Sequence, residues 1–139
     1  DVIVGYPGET EEDFQQTLSL IEEVRFDKVH VAAYSPRPGT IAFRKMEDDV
    51  TAATKAAWLH RIEELEHRIS LEINETSVGN VEQVLIEGVR GEQPFGRTRT
   101  GKLVHLDAAV RIGSMVDVRI EHAGPFSLRG TPIDALTLA

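Results

Sequence analysis

Apolar residues recur with two different periods along the chain, and the period changes near residue 74. In the first part, the apolar run DVIV at residues 1–4 predicts a buried strand that enters a glycine-containing loop. Apolar residues then recur every three or four positions from Phe14 to Val24, which predicts an amphipathic helix. A second apolar run, VHVAAY at residues 29–34, predicts another strand. This order indicates a βαβ unit with two parallel strands.

The helix boundaries in the first part carry recognisable signals. Thr10 is a predicted N-cap, and Asp13 stands where a capping box needs an acceptor. A second, long helix is predicted from residue 51 to about residue 75, because this segment lacks Gly and Pro and repeats apolar residues at helical spacing. Its predicted N-cap is Asp49 or Thr51.

From residue 78 onward, short runs rich in β-branched residues are separated by glycines. Five short strands suggest a small antiparallel barrel of OB-like kind, because closure hides the sheet edges. The predicted fold is therefore α/β followed by all-β, with a boundary near residue 74 between domains 1–73 and 74–139. The predicted strands cover residues 81–87, 95–100, 103–106, 115–122 and 126–129.

Composition narrows the class of protein. The chain has 139 residues, of which 41% are hydrophobic and 27% charged, as in folded soluble domains. It has neither an apolar run long enough to span a bilayer nor the pattern of a signal peptide, so a cytoplasmic location and no membrane partner are predicted. It begins with Asp inside a predicted strand, and we expect it to be part of a longer protein.

Cysteine and histidine usage does not predict a metal site. The chain contains no cysteine, so it offers neither a disulfide nor a thiolate ligand. His60 and His67 lie seven positions apart on the predicted long helix, about 10 Å along its axis, which is too far to share one ion. His30 lies inside a predicted strand and is most simply a hydrogen-bonded, partly buried side chain.

Two loops of the first part could carry a site. In VGYPGETEEDF, at residues 4–14, a strand runs through glycines into a helix N-terminus, where ligands bind in α/β folds. The alternative is a plain connection whose glycines serve only the turn. In YSPRPGT, at residues 34–40, two prolines stiffen a loop that aims Arg37 outward, either at an anion or simply as a surface turn.

A cationic segment, GRTRTGKLVHL at residues 96–106, stands out in a chain of net charge -8. The acidity belongs to the first part, which has 8 basic and 15 acidic residues against 7 and 8 after residue 73. On a strand, period two sends Arg97 and Arg99 to the same face, and Lys102 and His105 follow across a turn. This patch suits RNA phosphates and stacked bases. The alternative is a solvated strand face.

Five motifs together resemble one family. DVIVGYPGETEEDF, YSPRPGT, ISLEIN followed by VG, GRTRTGKLVHL and AGPFSLRG resemble, in order and spacing, the radical-SAM tRNA methylthiotransferases. The resemblance implies that residues 1–73 are the last part of a radical-SAM barrel of TIM type and that residues 74–139 are a TRAM domain that binds RNA. It implies S-adenosylmethionine and two 4Fe-4S clusters as cofactors. Because the chain has no cysteine, the cluster ligands would lie outside it, and this part alone would be inactive.

The resemblance also assigns site residues, although catalytic residues stay unknown. The implied partner is the anticodon stem–loop of tRNA, with no DNA, together with an electron donor and a sulfur donor for the whole enzyme. The implied S-adenosylmethionine-binding residues are Gly5, Pro7, Gly8, Glu9, Ser35, Arg37 and Gly39. The implied RNA-binding residues are Arg97, Arg99, Lys102, His105 and Arg129.

The implied activity is radical addition of a methylthio group to an adenosine of tRNA. The motifs GRTRTGKLVHL and SLRG favour the branch that acts on N6-dimethylallyladenosine at position 37. A branch that acts on threonylcarbamoyladenosine at the same position is the first alternative. A non-catalytic OB-like module that binds RNA or protein is the second.

Overall fold

The computed structural model describes residues 1–133 and divides the chain into two compact units, Asp1–Ile69 and Ser70–Ala139. No helix among the described residues has the length and apolarity to cross a membrane. The elements before the barrel are β1 (Val2–Val4), α1 (Glu11–Val24), β2 (Val31–Ala33), α2 (Ile41–Lys45) and α3 (Ala52–Glu75).

The predicted βαβ unit is confirmed. β1 and β2 pair in parallel, with Val2 opposite Val31 and Val4 opposite Ala33. The predicted capping box is also present at the start of α1, where the Asp13 amide donates to Thr10 Oγ1 at 3.2 Å and the Thr10 amide donates to Asp13 Oδ2 at 3.0 Å.

The core of the first unit lies where α1 meets α3. The rings of Phe14 and Trp58 stack with their centroids 4.9 Å apart, and both side chains are buried. Glu11 accepts a hydrogen bond from Trp58 Nε1 at 2.8 Å and one from Arg61 Nη1 at 2.9 Å. The apolar positions that recur at helical spacing in the sequence face this core. The hydrogen bonds of Glu11 at its edge hold α1 against α3.

Two details of the first unit differ from the sequence predictions. The segment before α3, for which the sequence predicts no helix, contains the short helix α2, which Thr40 caps by accepting from the Phe43 amide at 3.1 Å. Of the two predicted caps of α3, Thr51 is right, because its Oγ1 accepts from the Thr54 amide at 3.2 Å. Asp49 instead accepts from the Gly8 amide at 2.8 Å, so its prediction as a cap is wrong.

The second unit contains the predicted barrel of five strands. The sheet closes in the order β3, β4, β5, β7, β6. The expectation that all pairs are antiparallel is wrong, because β5 and β7 pair in parallel. Strand directions cannot alternate all the way around a closed ring with an odd number of strands, so one pair must be parallel. The strands are β3 (Val81–Arg90), β4 (Gln93–Thr98), β5 (Leu103–Leu106), β6 (Met115–Ala123) and β7 (Leu128–Pro132).

Apolar side chains fill the barrel. Gly96 is required on β4, because a Cβ there would collide with the carbonyl oxygen of Leu85 on β3. Along each strand, buried residues alternate with residues that point outward, and the outward positions carry most of the charged side chains of the barrel. The buried core residues are Val84, Ile86, Val104, Leu106, Val118, Ile120 and Leu128.

Four of the five barrel strands have limits different from those predicted, since β3 and β6 also end later than residues 87 and 122. β4 ends at Thr98 rather than residue 100, because the Gly101 amide donates to the Thr98 carbonyl at 3.0 Å and closes a turn. β7 begins at Leu128 rather than residue 126, because the Gly124 amide donates to the Ser127 carbonyl at 2.8 Å. These shifts move Arg99 and Phe126 from strands into turns.

Candidate nucleic-acid interface and ligand cleft

Two arginines of the cationic segment lie on the outer surface of the barrel beside β3. Arg97 points outward from β4, because its strand neighbours on both sides are buried. Arg99 lies in the turn after β4. The prediction that alternation along one strand places it on the same face as Arg97 is therefore wrong. Both guanidinium groups still reach outward side chains of β3. Arg97 Nε lies 3.6 Å from Glu87 Oε2, and Arg99 donates to Gln83 Oε1 from Nε at 3.1 Å and from Nη2 at 2.9 Å.

The partners of these arginines are easily exchanged. The Arg97 and Glu87 side chains are 50% and 40% exposed. An exposed ion pair contributes only about 0.2–1 kcal/mol, so a phosphate could replace the carboxylate at small cost. Gln83 is neutral, and its contact positions the Arg99 guanidinium without neutralising the charge. Lys102 is half-buried in the same turn, where its amide donates to Thr98 Oγ1 at 3.1 Å.

The other two predicted RNA-binding residues lie around the barrel on β5 and β7. His105 is in register with Arg129 on one side and with Phe95 of β4 on the other. Arg129 Nε lies 3.9 Å from Asp107 Oδ1 in an exposed pair. The five predicted residues therefore form two groups on the outer wall, one beside β3 and one on β5 and β7.

The aromatic residue directly before the cationic segment, Phe95, already has contacts within the barrel. The Phe95 ring packs against Gly88, and the Arg90 guanidinium carbon lies 5.7 Å from its centroid. Sequence reasoning missed two residues of the same wall, His122 and Phe126. His122 is in register with Arg129, and Phe126 is exposed in the turn between β6 and β7. The dipeptide Gly-Pro before Phe126 is a turn signal that could have identified it.

A cleft of about 730 Å³ lies at the carboxyl end of β2 in the first unit. Its walls include Tyr6, Tyr34, Ser35 and Arg37, and the two tyrosine rings meet edge to face with centroids 5.4 Å apart. This volume suits a ligand of nucleoside size. Two of the seven residues assigned to the cofactor, Ser35 and Arg37, line this cleft.

The amides of the glycine loop beside the cleft donate to carboxylates of the first unit. The Gly5 amide donates to Glu9 Oε1 at 2.6 Å, and the Gly8 amide is held by Asp49. A Cβ at Gly5 would collide with the stem of Lys55, whose Nζ lies 2.6 Å from Asp48 Oδ1. These amides are therefore satisfied within the protein, so they do not form an anion cradle.

The other residues assigned to the cofactor, Pro7, Glu9 and Gly39, lie in the two loops of the first unit. Pro7 is half-buried and Glu9 is occupied by the Gly5 amide. Gly39 is exposed, with the left-handed φ of 91° that its turn before Thr40 requires. In residues 1–133 no three His, Asp or Glu side chains converge as metal ligands.

The class of the barrel follows from comparison with known families. Residues 75–133 match the model of the TRAM domain, and this range contains all five strands of the closed barrel.

The chain as a whole is similar to tRNA-2-methylthio-N(6)-dimethylallyladenosine synthases. It is 48% identical over 135 residues to that of Acetivibrio thermocellus, which covers 94% of the chain and 28% of the relative. It is 50% identical over 133 residues to that of Geotalea uraniireducens, covering 94% and 30%. For Porphyromonas gingivalis the identity is 43% over 141 residues, covering 99% and 30%. The family resemblance of the sequence motifs is confirmed, and the chain spans less than a third of the length of these curated relatives.

Proposed function

We propose that the chain is part of a methylthiotransferase that converts N6-dimethylallyladenosine at position 37 of tRNA to its 2-methylthio derivative. The supporting observation is identity of 43–50% over 94–99% of the chain to synthases named for this product. The names favour this substrate over threonylcarbamoyladenosine. A stand-alone RNA-binding module would share only the barrel with such enzymes, whereas here the similarity includes the first unit.

The two parts of the chain have separate tasks in this proposal. Residues 1–73 belong to a radical-SAM barrel, which the parallel pairing of β1 with β2 supports. Residues 74–139 are the RNA-binding domain, and the TRAM match over residues 75–133 supports that limit.

The outer wall of the TRAM domain binds the anticodon stem–loop. Arg97 and Arg99 support this role, because both are exposed and the side chains that they contact are a half-exposed carboxylate and a neutral amide, while Arg97 Nη1 also donates to the Gly101 carbonyl at 3.1 Å. Guanidinium groups suit phosphate oxygens, since they donate two hydrogen bonds in one plane. Lys102, His105 and Arg129 extend the contact along the wall.

S-adenosylmethionine fits the cleft of the first unit in part. Ser35 and Arg37 would hold it, since a hydroxyl and a guanidinium suit the polar groups of an amino acid. Gly5 and Gly8 would shape the loop only, because their amides are bonded to Glu9 and Asp49. When bound, this cofactor supplies the radical that begins the reaction.

The residues of this chain do not fit the two 4Fe-4S clusters. The chain has no cysteine to provide thiolate ligands, so ligation of both clusters is assigned to other parts of the enzyme. The same applies to the contacts with the electron donor and the sulfur donor.

The test is RNA binding by the full-length enzyme with Arg97→Ala and Arg99→Ala. Binding of an anticodon stem–loop is measured over a range of salt concentrations. We expect weaker binding and a salt slope lower by about two, because two phosphate contacts are lost. The matched control replaces Arg111 and Arg119 with Ala, which removes the same charge from the same domain at positions other than the five assigned residues. Equal binding by both double variants would refute the assignment.

A further inference from the structure

The turn between β6 and β7 presents an exposed aromatic ring on a fixed backbone. Phe126 is 63% exposed. The Gly124 amide donates to the Ser127 carbonyl at 2.8 Å, and the Gly124 carbonyl accepts from Nδ2 of the buried Asn74 at 2.8 Å. The ring is therefore carried by a turn that is anchored at its base, and less conformational entropy is lost when it binds.

A cleft of about 370 Å³ adjoins this turn, and its lining combines Arg129 and two histidines with the apolar residues Ala123 and Leu128. Arg129 on β7 is in register with His105 on β5 and with His122 on β6, so it lies between two imidazoles. Ser127 and the Gly124 backbone complete the wall on the side of the turn. Arg129 Nε lies 3.9 Å from Asp107 Oδ1, in an exposed pair that contributes little.

The combination of an aromatic ring and a cationic cleft matches the chemistry of an unpaired nucleotide. A base stacks on an aromatic ring, and the phosphate that follows pairs with guanidinium and imidazole N–H groups. The cleft volume lies within the range of small-ligand sites, which suits one nucleotide.

We propose that the cleft beside the β6–β7 turn takes one unpaired nucleotide of RNA, with its base stacked on Phe126 and its phosphate at Arg129, His105 and His122. This inference rests on RNA binding by the TRAM domain as proposed above. It adds Phe126 as a stacking residue and His122 as a second histidine to the proposed RNA-binding residues. It also predicts that the domain prefers single-stranded RNA at this position.

The experiment compares binding of an oligoadenylate of about ten nucleotides and of a duplex RNA by the full-length enzyme. Phe126→Ala should weaken oligoadenylate binding at least about fivefold, since stacking of one base contributes about 1–3 kcal/mol. Its salt slope should stay unchanged, because no phosphate contact is lost. Phe126→Trp should keep the affinity, and duplex binding should not change in either variant.

The matched control is Ile112→Ala, which removes an apolar side chain of 57% exposure from another loop of the same domain. It should bind both RNAs like the wild type. If Phe126→Ala binds oligoadenylate as the wild type does, or loses duplex binding equally, the nucleotide site is refuted and RNA binding by the domain still stands. If the wild type does not bind oligoadenylate, the nucleotide site is refuted; if it also does not bind the anticodon stem–loop, the proposed function itself fails.

Discussion

The barrel and the first unit differ in how their strands are paired. Each barrel strand has two neighbours in a closed ring. In the described part of the first unit, β1 and β2 have only each other, and apolar side chains such as Ile3 and Ile41 are exposed near them. A closed sheet satisfies its backbone groups internally, whereas a parallel pair depends on what covers its faces. The stability of the first unit therefore depends on the contact of α1 with α3, and that of the barrel on close backbone approach.

The largest effect is expected from Phe14→Ala. Phe14 is fully buried and stacks on Trp58, so its removal should lower the free energy of unfolding of the first unit by about 3–5 kcal/mol. Trp58 is the single tryptophan of the chain, and its fluorescence in a denaturant titration reports this unit. The barrel transition, followed by circular dichroism, should stay in place.

The control for this prediction is Phe43→Ala, which removes an exposed ring of the same size from the first unit. Its effect should stay within about 0.5 kcal/mol. If Phe14→Ala shifts the barrel transition as far as the Trp58 transition, the stability of the barrel also depends on the contact of α1 with α3. That result would contradict the difference drawn between the two units.

A somewhat smaller effect is expected from Gly96→Ala in the barrel. The added Cβ would collide with the Leu85 carbonyl, a backbone atom that cannot rotate away. Overpacking of this kind costs about 1–3 kcal/mol, and we expect the upper end because the obstacle is backbone. Gly124→Ala is the control, since a Cβ there meets the Ser127 carbonyl oxygen at an ordinary 3.7 Å. Equal stability of both variants by urea denaturation would contradict the close-approach argument.

Sequence reasoning succeeded where the signal is local. The capping box of Thr10 and Asp13, and the parallel pair that follows from a strand, a helix and a strand, depend on residues close together in the chain. The five barrel strands were also recognisable, because β-branched runs between glycines repeat at short spacing.

The failures concern contacts between distant residues and turns that interrupt a regular pattern. Period two cannot reveal that β4 ends at Thr98, because the Gly101 amide and not the side-chain pattern closes that turn. No local pattern reveals that the Gly8 amide donates to Asp49, which lies 41 positions away in the chain. The arrangement of Arg129 between His105 and His122 depends on β7 lying between β5 and β6, which is a property of the barrel order and not of any segment.

The smallest effect is expected from Glu11→Gln, and it depends on pH. Hydrogen bonds from Gln15, Arg61 and Trp58 lower the pKa of Glu11 below its ordinary value. A carboxyl whose pKa is lower in the folded state stabilises the protein above its unfolded pKa, and this contribution is lost as the pH falls through the folded pKa. The Glu11→Gln protein should therefore be less stable than the wild type at neutral pH, and the difference should narrow in the acidic range below the ordinary glutamate pKa.

Denaturant titrations of Trp58 fluorescence at several pH values measure this difference for the first unit, while the barrel supplies an internal reference. Glu12→Gln controls for loss of the same charge from the first turn of α1, where either glutamate favours the positive end of the helix dipole. If the Glu11→Gln and wild-type stabilities run parallel at all pH values, the hydrogen bonds to Glu11 do not contribute to the contact of α1 with α3. That result would leave the stacked rings of Phe14 and Trp58 as the interaction that holds the first unit together.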